Sequence, residues 1–408
     1  MKKCRFCDNP LSLSFCDLGK TPLSNAYLGK EQLLKKENFF PLHAYVCSNC
    51  LLVQLEEVES PENIFQDYAY FSSFSKSWLE HSSLYVDKMI ERFGFNENSQ
   101  VVELASNDGY LLQYFKNKNV PVLGIEPAAN VAEIALKKGI PTIAEFFGSE
   151  FALELVKKHK KPDLLLGNNV LAHVPNLNDF VKGMKILLDD KGIITMEFPH
   201  LLNLMKENQF DTIYHEHFSY FSFFVVEKVF AKHGLTLFDV DKLKTHGGSL
   251  RIYAKHDDNS SIPISESVSS LKEEERNFGL NNLDTYVNFQ QKIDENKQKL
   301  LDFLTFCKEN NKKVIGYGAP AKGNTLLNYY GINTDLLNYT VDRSPYKQGR
   351  FLPGTHLPIK TPDEISKDKP DFILILPWNL REEIIEQMSF VKDWGAKFII
   401  PIPELMVL

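Results

Sequence analysis

The chain has 408 residues, more than one hydrophobic core usually organises, so we expect two or three domains. It is 43% hydrophobic and 24% charged, as globular proteins are, and its net charge of −7 argues against a general binder of nucleic acid or membrane surfaces. No apolar run is long enough to span a bilayer, and the N-terminus lacks the apolar region of a signal peptide. We therefore expect a cytoplasmic protein whose six cysteines stay reduced.

Four of the cysteines form two C-x2-C pairs, Cys4 with Cys7 and Cys47 with Cys50. Each pair can form a tight knuckle, and four thiolates complete the tetrahedral shell of a zinc ion. Residues 8–46 exceed the usual spacing of a zinc ribbon, so an insertion is expected between the knuckles. A closed Cys4 shell leaves no open position, which predicts a structural zinc. Two other side chains are alternative ligands, namely Cys16 and His43.

Residues 61–98 are predicted to be helical, because apolar residues between Trp78 and Phe93 recur at helical spacing. Tyr68 and Tyr70 precede the best of this pattern. Tyrosines in such a place are usually core or surface aromatics, but they can also line a pocket.

Residues 99–200 alternate strands and helices in the manner of a parallel α/β sheet. Strands are predicted at 100–105, 122–127, 163–167 and 192–199. Ligands of such sheets bind at the carboxyl ends of the strands. Here those ends carry polar side chains: Glu103, Glu126, Asn168 and Glu197.

The first turn of this sheet has Ala105, Asn107 and Gly109 where a dinucleotide-binding turn would have its glycines. An acidic strand end is a poor host for a pyrophosphate but suits the cationic, phosphate-free S-adenosylmethionine. Glu126 follows at the spacing of a ribose-hydroxyl clamp. The pattern therefore favours a class I methyltransferase over an enzyme that binds NAD at this site. The cofactor-binding candidates are Glu103, Ala105, Asn107, Gly109, Tyr110, Glu126, Pro127, Asn168 and Asn169.

Residues 210–222 hold two histidines, two carboxylates and two tyrosines among apolar neighbours. Tyr214, His215, Glu216 and His217 are consecutive, and such a run can place a base, its orienting group and a phenol around one site. A polar loop that caps a helix is the alternative. A helix at 225–233 and an antiparallel hairpin of strands 235–240 and 249–255 are predicted to follow.

A linker at 256–263 leads to one or two predicted helices within 265–310, where the charged run 273–276 is expected to face solvent. A new α/β unit begins with a strand at 313–317, a glycine-rich turn and a helix at 326–330. Gly318 permits close backbone approach, and Lys322 can pair with phosphate. The alternative is a Rossmann-like domain without a ligand.

In this order, the motifs resemble those of the nucleotide-sugar C-methyltransferases, over nearly the whole chain. The segments that carry the resemblance are the two C-x2-C pairs and residues 103–112, 213–222 and 316–325. The resemblance implies an α/β protein with a small zinc-binding domain (1–60), a class I methyltransferase core that binds S-adenosylmethionine (61–258), and a helical linker with a C-terminal Rossmann-like domain (259–408). The typical substrate of that family is a nucleotide-linked 4-keto-deoxysugar, methylated at carbon 3.

The resemblance also implies residue roles. His217 is the expected base, and His215 is left without a role, which makes it the most replaceable of its run. The other catalytic candidates are Glu216, Tyr214, His173 and Tyr70. The expected substrate-binding residues are Tyr70, Tyr68, Gly318, Lys322 and Asn324.

The expected partner is a nucleotide-diphosphate sugar, with no nucleic acid and no membrane, and the protein is expected to be a monomer. Three other functions were weighed. An O- or N-methyltransferase can use the same residue types. A nicotinamide-dependent sugar oxidoreductase would use the C-terminal glycine turn. A zinc-ribbon nucleic-acid binder is disfavoured by the acidic composition.

Overall fold

Three β-sheets form the framework of the protein, whose computed structural model describes residues 2–58 and 71–408. Tyr68 and Tyr70, predicted to line the site, lie outside the described residues. The strands in chain order are β1 (Leu13–Thr21), β2 (Phe40–Val46), β3 (Val53–Leu55), β4 (Val101–Leu104), β5 (Val122–Ile125), β6 (Thr142–Ile143), β7 (Leu164–Asn168), β8 (Ile193–Pro199), β9 (Ser219–Tyr220), β10 (Leu235–Leu243), β11 (Ser249–His256), β12 (Val314–Tyr317), β13 (Thr340–Val341), β14 (Ile359–Lys360), β15 (Phe372–Ile375), β16 (Lys397–Ile400) and β17 (Met406–Val407).

Helices cover the faces of these sheets. Within the described ranges, none is long and apolar enough to cross a membrane. The α-helices span Lys76–Phe93, Leu112–Asn117, Ala129–Lys137, Ser149–Lys158, Leu177–Leu187, Leu201–Lys206, Phe223–Lys232, Glu266–Phe278, Leu283–Val287, Phe289–Glu309, Ala321–Tyr330, Glu364–Asp368 and Arg381–Gln387.

The central sheet has the strand order β10-β11-β8-β7-β4-β5-β6. Strands β4 to β8 are parallel, and β11 runs antiparallel to β8 and to β10. This order, with one reversed strand, is that of a class I methyltransferase, so the predicted core and its terminal hairpin are confirmed. The chain changes direction across the sheet at β4, whose neighbours are β5 and β7. Ligands of such sheets bind in the crevice at the carboxyl ends beside this point.

The C-terminal sheet has the order β14-β13-β12-β15-β16-β17, in which only β17 is antiparallel to its neighbour. This confirms the predicted Rossmann-like domain. The helix after β12 begins at Ala321, earlier than the predicted residue 326, so Lys322 and Asn324 lie on the helix and not in the turn before it. Gly323 is accommodated there because the helix packs so closely on Leu376 that a Cβ would lie 2.9 Å from that side chain.

The N-terminal sheet has the order β1-β2-β3-β9, and its last strand comes from the 210–222 stretch. Val53 of β3 pairs with Tyr220, and Gln54 pairs with Ser219. The sheet also packs in two directions, because one apolar cluster joins Phe15 to the C-terminal sheet and another joins Cys47 to the central sheet. Residues 210–222 are thereby held where the three parts of the chain meet.

Two helix predictions need correction. In the described part of residues 61–98, the α-helix spans only Lys76–Phe93, because Ser75 caps its start by accepting from the Trp78 backbone N–H and Gly94 (φ 74°) ends it. Residues 265–310 contain three helices instead of one or two. Gly279 (φ 97°) ends the first of them in the left-handed conformation.

The charged run 273–276 was expected to face solvent, and this is wrong for Glu275, whose side chain is fully buried. Its Oε1 accepts hydrogen bonds from the His200 ring at 2.7 Å and from the Phe223 backbone N–H at 2.6 Å. Its Oε2 accepts from the Phe224 backbone N–H at 3.0 Å. Glu275 therefore caps the helix Phe223–Lys232 from another helix, a contact with no signature in the local charge pattern.

Candidate active site

The four cysteines of the C-x2-C pairs converge, with their sulfur atoms all within 4.8 Å of one another. The closest pairs are Cys4 with Cys50 and Cys7 with Cys47, each 3.5 Å apart, and none of the four forms a disulfide. A tetrahedral Zn–S4 shell with bonds of about 2.3 Å has sulfur–sulfur edges of about 3.8 Å. The cluster therefore fits a structural zinc ion.

The backbone around the cysteines is shaped for metal binding. Asp8 (φ 60°) and Leu51 (φ 68°) follow the two pairs in the left-handed conformation, and their N–H groups donate to the carbonyls of Cys4 and Cys47. The Gln54 side-chain amide donates to the Cys4 sulfur at 3.2 Å, and such hydrogen bonds orient a thiolate that binds a metal ion. The alternative ligands are elsewhere: Cys16 lies in the apolar core, and the His43 ring bonds Ser14.

The carboxyl edge of the central sheet carries the buried carboxyl groups of Glu103, Glu126 and Glu197, of which Glu197 is paired with Arg251 at 2.8 Å. Burial strongly raises the pKa of Glu103, with Tyr110 opposing the shift and the nearby Glu126 and Asp108 adding to it. Burial also raises the pKa of Glu126 to about 7, although its carboxylate accepts from the backbone N–H groups of Asn107 and Ala128, both at 2.9 Å. A positively charged ligand would lower both pKa values, so this edge favours a cation.

The turn after β4 has an unusual backbone at every second residue. Ala105, Asn107 and Gly109 have φ angles of 54°, 49° and 75°. Glycine adopts these angles without strain, whereas alanine adopts them at an energetic cost. The backbone of the turn therefore follows the conformation of a glycine-rich turn, although two of the three positions carry side chains. The Asn107 side-chain oxygen accepts from the Ser72 backbone N–H at 2.9 Å, and a Cβ on Gly109 would collide with Ile140.

Aromatic rings border this edge. Trp78 stacks on Tyr110 with ring centroids 6.0 Å apart and on His81 at 4.9 Å. Tyr110 lies between Glu103 and Asn168. The edge thus offers acidic groups and flat apolar surface together, which suits a cationic nucleoside such as S-adenosylmethionine. Pro127 is half-buried beside Glu126.

His217 is held by hydrogen bonds at both ring nitrogens. Nδ1 lies 3.0 Å from the Thr212 carbonyl, which can only accept, so Nδ1 carries the proton. Nε2 lies 2.8 Å from the Tyr214 hydroxyl and therefore holds the lone pair. Burial, with smaller contributions from His173 and His246, lowers the pKa of His217 well below its usual value. The ring is neutral at neutral pH and oriented to receive a proton at Nε2.

His173 lies beside this base, with its ring centroid 4.7 Å from that of His217 at an interplanar angle of 74°. Burial lowers the pKa of His173 to about 4, and a hydrogen bond with the Glu216 backbone partly opposes the shift. The two imidazoles are both neutral at neutral pH. The structure thus brings together Tyr214, His217 and His173.

Glu216 and His215 point away from His217. Glu216 is buried, and its Oε1 accepts from the Asn25 side-chain amide at 2.8 Å. The expectation that a carboxylate orients the base is wrong, because the Thr212 carbonyl does so. His215 is also buried and bonds the Pro41 carbonyl at 3.2 Å, which ties the loop to β2.

Lys322 and Asn324, the predicted substrate-binding side chains of the C-terminal domain, are bonded to other groups of the protein. The Lys322 ammonium bonds the Asn379 side chain, lies 4.2 Å from the centre of the Trp378 ring, and faces the buried Asp211. Burial lowers the pKa of Lys322 to about 8, with Asp211 opposing the shift. The Asn324 amide donates to the Ser24 carbonyl at 3.1 Å.

Gly318 (φ 88°) packs against Pro377, and a Cβ on Gly318 would lie 2.6 Å from that ring. The close backbone approach at this glycine is therefore to another part of the protein. Beside this turn, a cleft of about 390 Å³ separates the central and C-terminal domains. Gln209 and Gly247 lie on one wall, and Asn379 and Arg381 lie on the other.

Several residues that shape the site have no signal in the sequence. Thr212 acts through its carbonyl and Asn25 reaches Glu216 from a distant segment, so neither could be found by pattern. His246 lies between the two strands of the predicted hairpin, and the two glycines that follow it are its signal in the sequence.

Comparisons with known proteins agree with this architecture. Family models match a zinc binding domain at residues 4–65, a methyltransferase domain at 78–240 and a C-methyltransferase C-terminal domain at 244–403. The C-methyltransferase NovU of Streptomyces niveus is 35% identical over 406 residues, covering 100% of this chain and 96% of NovU.

Two solved structures are more distant. PH0226 from Pyrococcus horikoshii has 14% identity and a TM-score of 0.39, covering 48% of this chain and 100% of its own. Magnesium protoporphyrin IX methyltransferase from Synechocystis with bound S-adenosylhomocysteine has 12% identity and a TM-score of 0.35, covering 47% and 91%. The family assignment rests on the full-length relative: this chain belongs to the S-adenosylmethionine-dependent C-methyltransferases that combine a zinc-binding domain, a methyltransferase core and a dedicated C-terminal domain.

Proposed function

We propose that the enzyme methylates carbon 3 of a nucleotide-linked 4-keto-deoxysugar, with His217 as the base. The observation that carries this proposal is the neutral imidazole of His217, whose lone-pair nitrogen faces the Tyr214 hydroxyl at 2.8 Å beside a second neutral imidazole. Carbon is a poor nucleophile unless a neighbouring carbonyl acidifies its hydrogen. A base for that hydrogen is the main requirement of C-methylation.

The chemistry follows from the bonds of His217. The acceptor displaces the Tyr214 hydroxyl from Nε2, and the C–H proton passes to this nitrogen as its bonding pair forms an enolate. The Thr212 carbonyl keeps the ring oriented and stabilises the imidazolium that results. Residues such as Glu103, Asn107 and Glu126 would hold S-adenosylmethionine at the edge. Its sulfonium would supply the methyl group to the enolate carbon, and the broken C–S bond would leave the neutral thioether of S-adenosylhomocysteine.

The negative charge on the enolate oxygen calls for hydrogen-bond donors. We assign this role to the Tyr214 hydroxyl once displaced, and to His173. Glu216 supports the loop through Asn25 and does not act on the base. Tyr70 remains a proposed member of this group.

The nucleotide-sugar assignment is supported by the cleft between the central and C-terminal domains. It is about 390 Å³ in volume and is lined by Arg381 and by Asn379, which bonds Lys322. Arg381 is suited to bind one phosphate group, and it shares the cleft with the carboxylates of Glu207, Glu382 and Glu383. We also propose the three-part division 1–60, 61–258 and 259–408, with zinc held by Cys4, Cys7, Cys47 and Cys50.

Deuterium exchange tests the proposal. The enzyme is incubated in D2O with S-adenosylhomocysteine and a panel of 4-keto-6-deoxyhexoses linked to thymidine, uridine, cytidine or guanosine diphosphate. We expect deuterium exchange at carbon 3, next to the C4 ketone, with one member of the panel. When S-adenosylmethionine replaces S-adenosylhomocysteine, a new C–CH3 bond should form at that carbon. Methylation of an oxygen or nitrogen without exchange would refute the proposal.

A further inference from the structure

His246 is a further imidazole near His217, on the turn between β10 and β11 and directly before Gly247 of the cleft wall. Its Nε2 lies 3.1 Å from the Asn169 side-chain amide nitrogen, directly after β7 at the cofactor edge. Its ring contacts Trp78 edge-on, with centroids 5.4 Å apart. It is also close enough to Lys322 for that charge to affect its pKa. His246 therefore lies between the cofactor edge and the C-terminal domain.

His246 has a left-handed backbone, with a φ of 52°. This conformation costs histidine less than most residues but more than glycine. Gly247 and Gly248 continue the left-handed path, with φ angles of 86° and 113°. A Cβ on Gly247 would collide with Gln209 and Trp378, so the turn has little freedom to relax. The cost is understandable if the imidazole itself is needed.

The turn is also anchored on both sides of the histidine. The Thr245 hydroxyl donates to the buried Glu197 at 2.9 Å, and the Gly247 carbonyl accepts from the Gln209 side chain at 2.7 Å. The Gly248 N–H returns to the Thr245 carbonyl at 2.8 Å. A rigid support of this kind is what a precisely placed donor requires.

The hydrogen bonding assigns the proton. The Asn169 amide nitrogen can only donate, so Nε2 accepts and Nδ1 carries the hydrogen. The side chain is exposed to solvent, and no residue of the described ranges hydrogen-bonds Nδ1. With Nε2 accepting and Nδ1 carrying the hydrogen, the ring is a neutral donor.

We propose that His246 is a catalytic residue that donates its Nδ1–H to the carbonyl oxygen of the acceptor. It would be a further donor to the enolate oxygen, in addition to Tyr214 and His173. A neutral imidazole is suited to this role because it can polarise a carbonyl without itself protonating the enolate. The inference rests on the proposed function, since only an acceptor with a carbonyl requires such a site.

Three variants test it. His246→Phe removes the donor and keeps a flat ring, His246→Asn keeps a donor and tolerates the left-handed backbone, and His159→Ala changes an exposed histidine at the end of another helix. We expect unchanged affinity for S-adenosylhomocysteine in all three. In His246→Phe, exchange and methyl transfer should both fall about 100- to 1000-fold, as for the loss of one oxyanion donor. His246→Asn should recover part of this loss, and His159→Ala should behave as wild type.

The inference would be overturned if His246→Phe exchanged deuterium at the wild-type rate. Loss of methyl transfer alone would show that His246 acts on the methyl donor and not on the carbonyl. Loss of S-adenosylhomocysteine binding in both His246 variants would also overturn it, by showing a structural role.

A second measurement separates this inference from the proposed function. Binding of the keto-sugar panel is measured with S-adenosylhomocysteine present, against analogues whose ketone is reduced to a hydroxyl. If the wild-type enzyme shows no deuterium exchange, the proposed function fails. If the wild type nevertheless binds ketones more tightly than their hydroxyl analogues, and His246→Phe loses this preference, the contact between His246 and the ketone is still supported. Equal affinities in wild type and His246→Phe would refute it.

Discussion

Replacing Glu275 by alanine is expected to destabilise the protein strongly, although Glu275 lies in a charged run. Its carboxylate is fully buried and accepts three hydrogen bonds, from the His200 ring and from the N–H groups of Phe223 and Phe224. Each buried polar group left unpaired costs ~1–3 kcal/mol, and the substitution leaves three donors without their acceptor. We therefore expect a loss of about 3–5 kcal/mol in the free energy of unfolding.

Urea unfolding followed by circular dichroism measures this loss. Calorimetry should show a fall in melting temperature of about 4–6 °C, because 408 residues at about 2.1 cal/mol/K each give the unfolding entropy. Glu273→Ala is the matched control, because Glu273 is exposed two residues away on the same helix. It should change stability by less than about 0.5 kcal/mol. Glu275→Gln keeps an oxygen for the backbone donors and should be intermediate. Equal stabilities for Glu273→Ala and Glu275→Ala would refute the reasoning.

Three further predictions concern the site, the metal and pH. His217→Ala should keep affinity for S-adenosylhomocysteine but lower kcat about 10²–10⁴-fold, and near-normal turnover would refute its role as base. Zinc removal by a chelator should increase hydrogen exchange around Cys4 and Cys47 before it affects the central sheet, and purified active enzyme without zinc would contradict the metal site. The contribution of His173 to stability should fall as pH is lowered from about 6.5 towards 4, because the pKa of His173 is about 4 in the folded protein and the unfolded chain takes up the proton first. The raised pKa of Glu126 acts in the opposite direction, so the comparison with His173→Asn isolates the histidine, and the stability difference between the two proteins should change by on the order of 2–3 kcal/mol over this range.

Much of the architecture could be predicted from local patterns. The C-x2-C pairs, the strands ending in Glu103 and Glu126, and the strand before Gly318 are short signals with a direct physical cause. Cysteine spacing suits a metal knuckle, and apolar runs ending in polar residues mark strands of a parallel sheet. The cluster of titratable residues in 210–222 could also be recognised as a candidate site, because its members are adjacent in sequence.

Only the tertiary structure decided how those residues are used. Glu216 follows His215 and precedes His217 in the chain, yet it bonds Asn25 while a backbone carbonyl orients the base. Glu275 looks like its neighbours but is buried, and His246 looks like a turn residue but reaches Asn169. The reason is that hydrogen-bond partners and desolvation depend on contacts between segments distant in sequence, whereas local patterns report only the period and polarity of one segment.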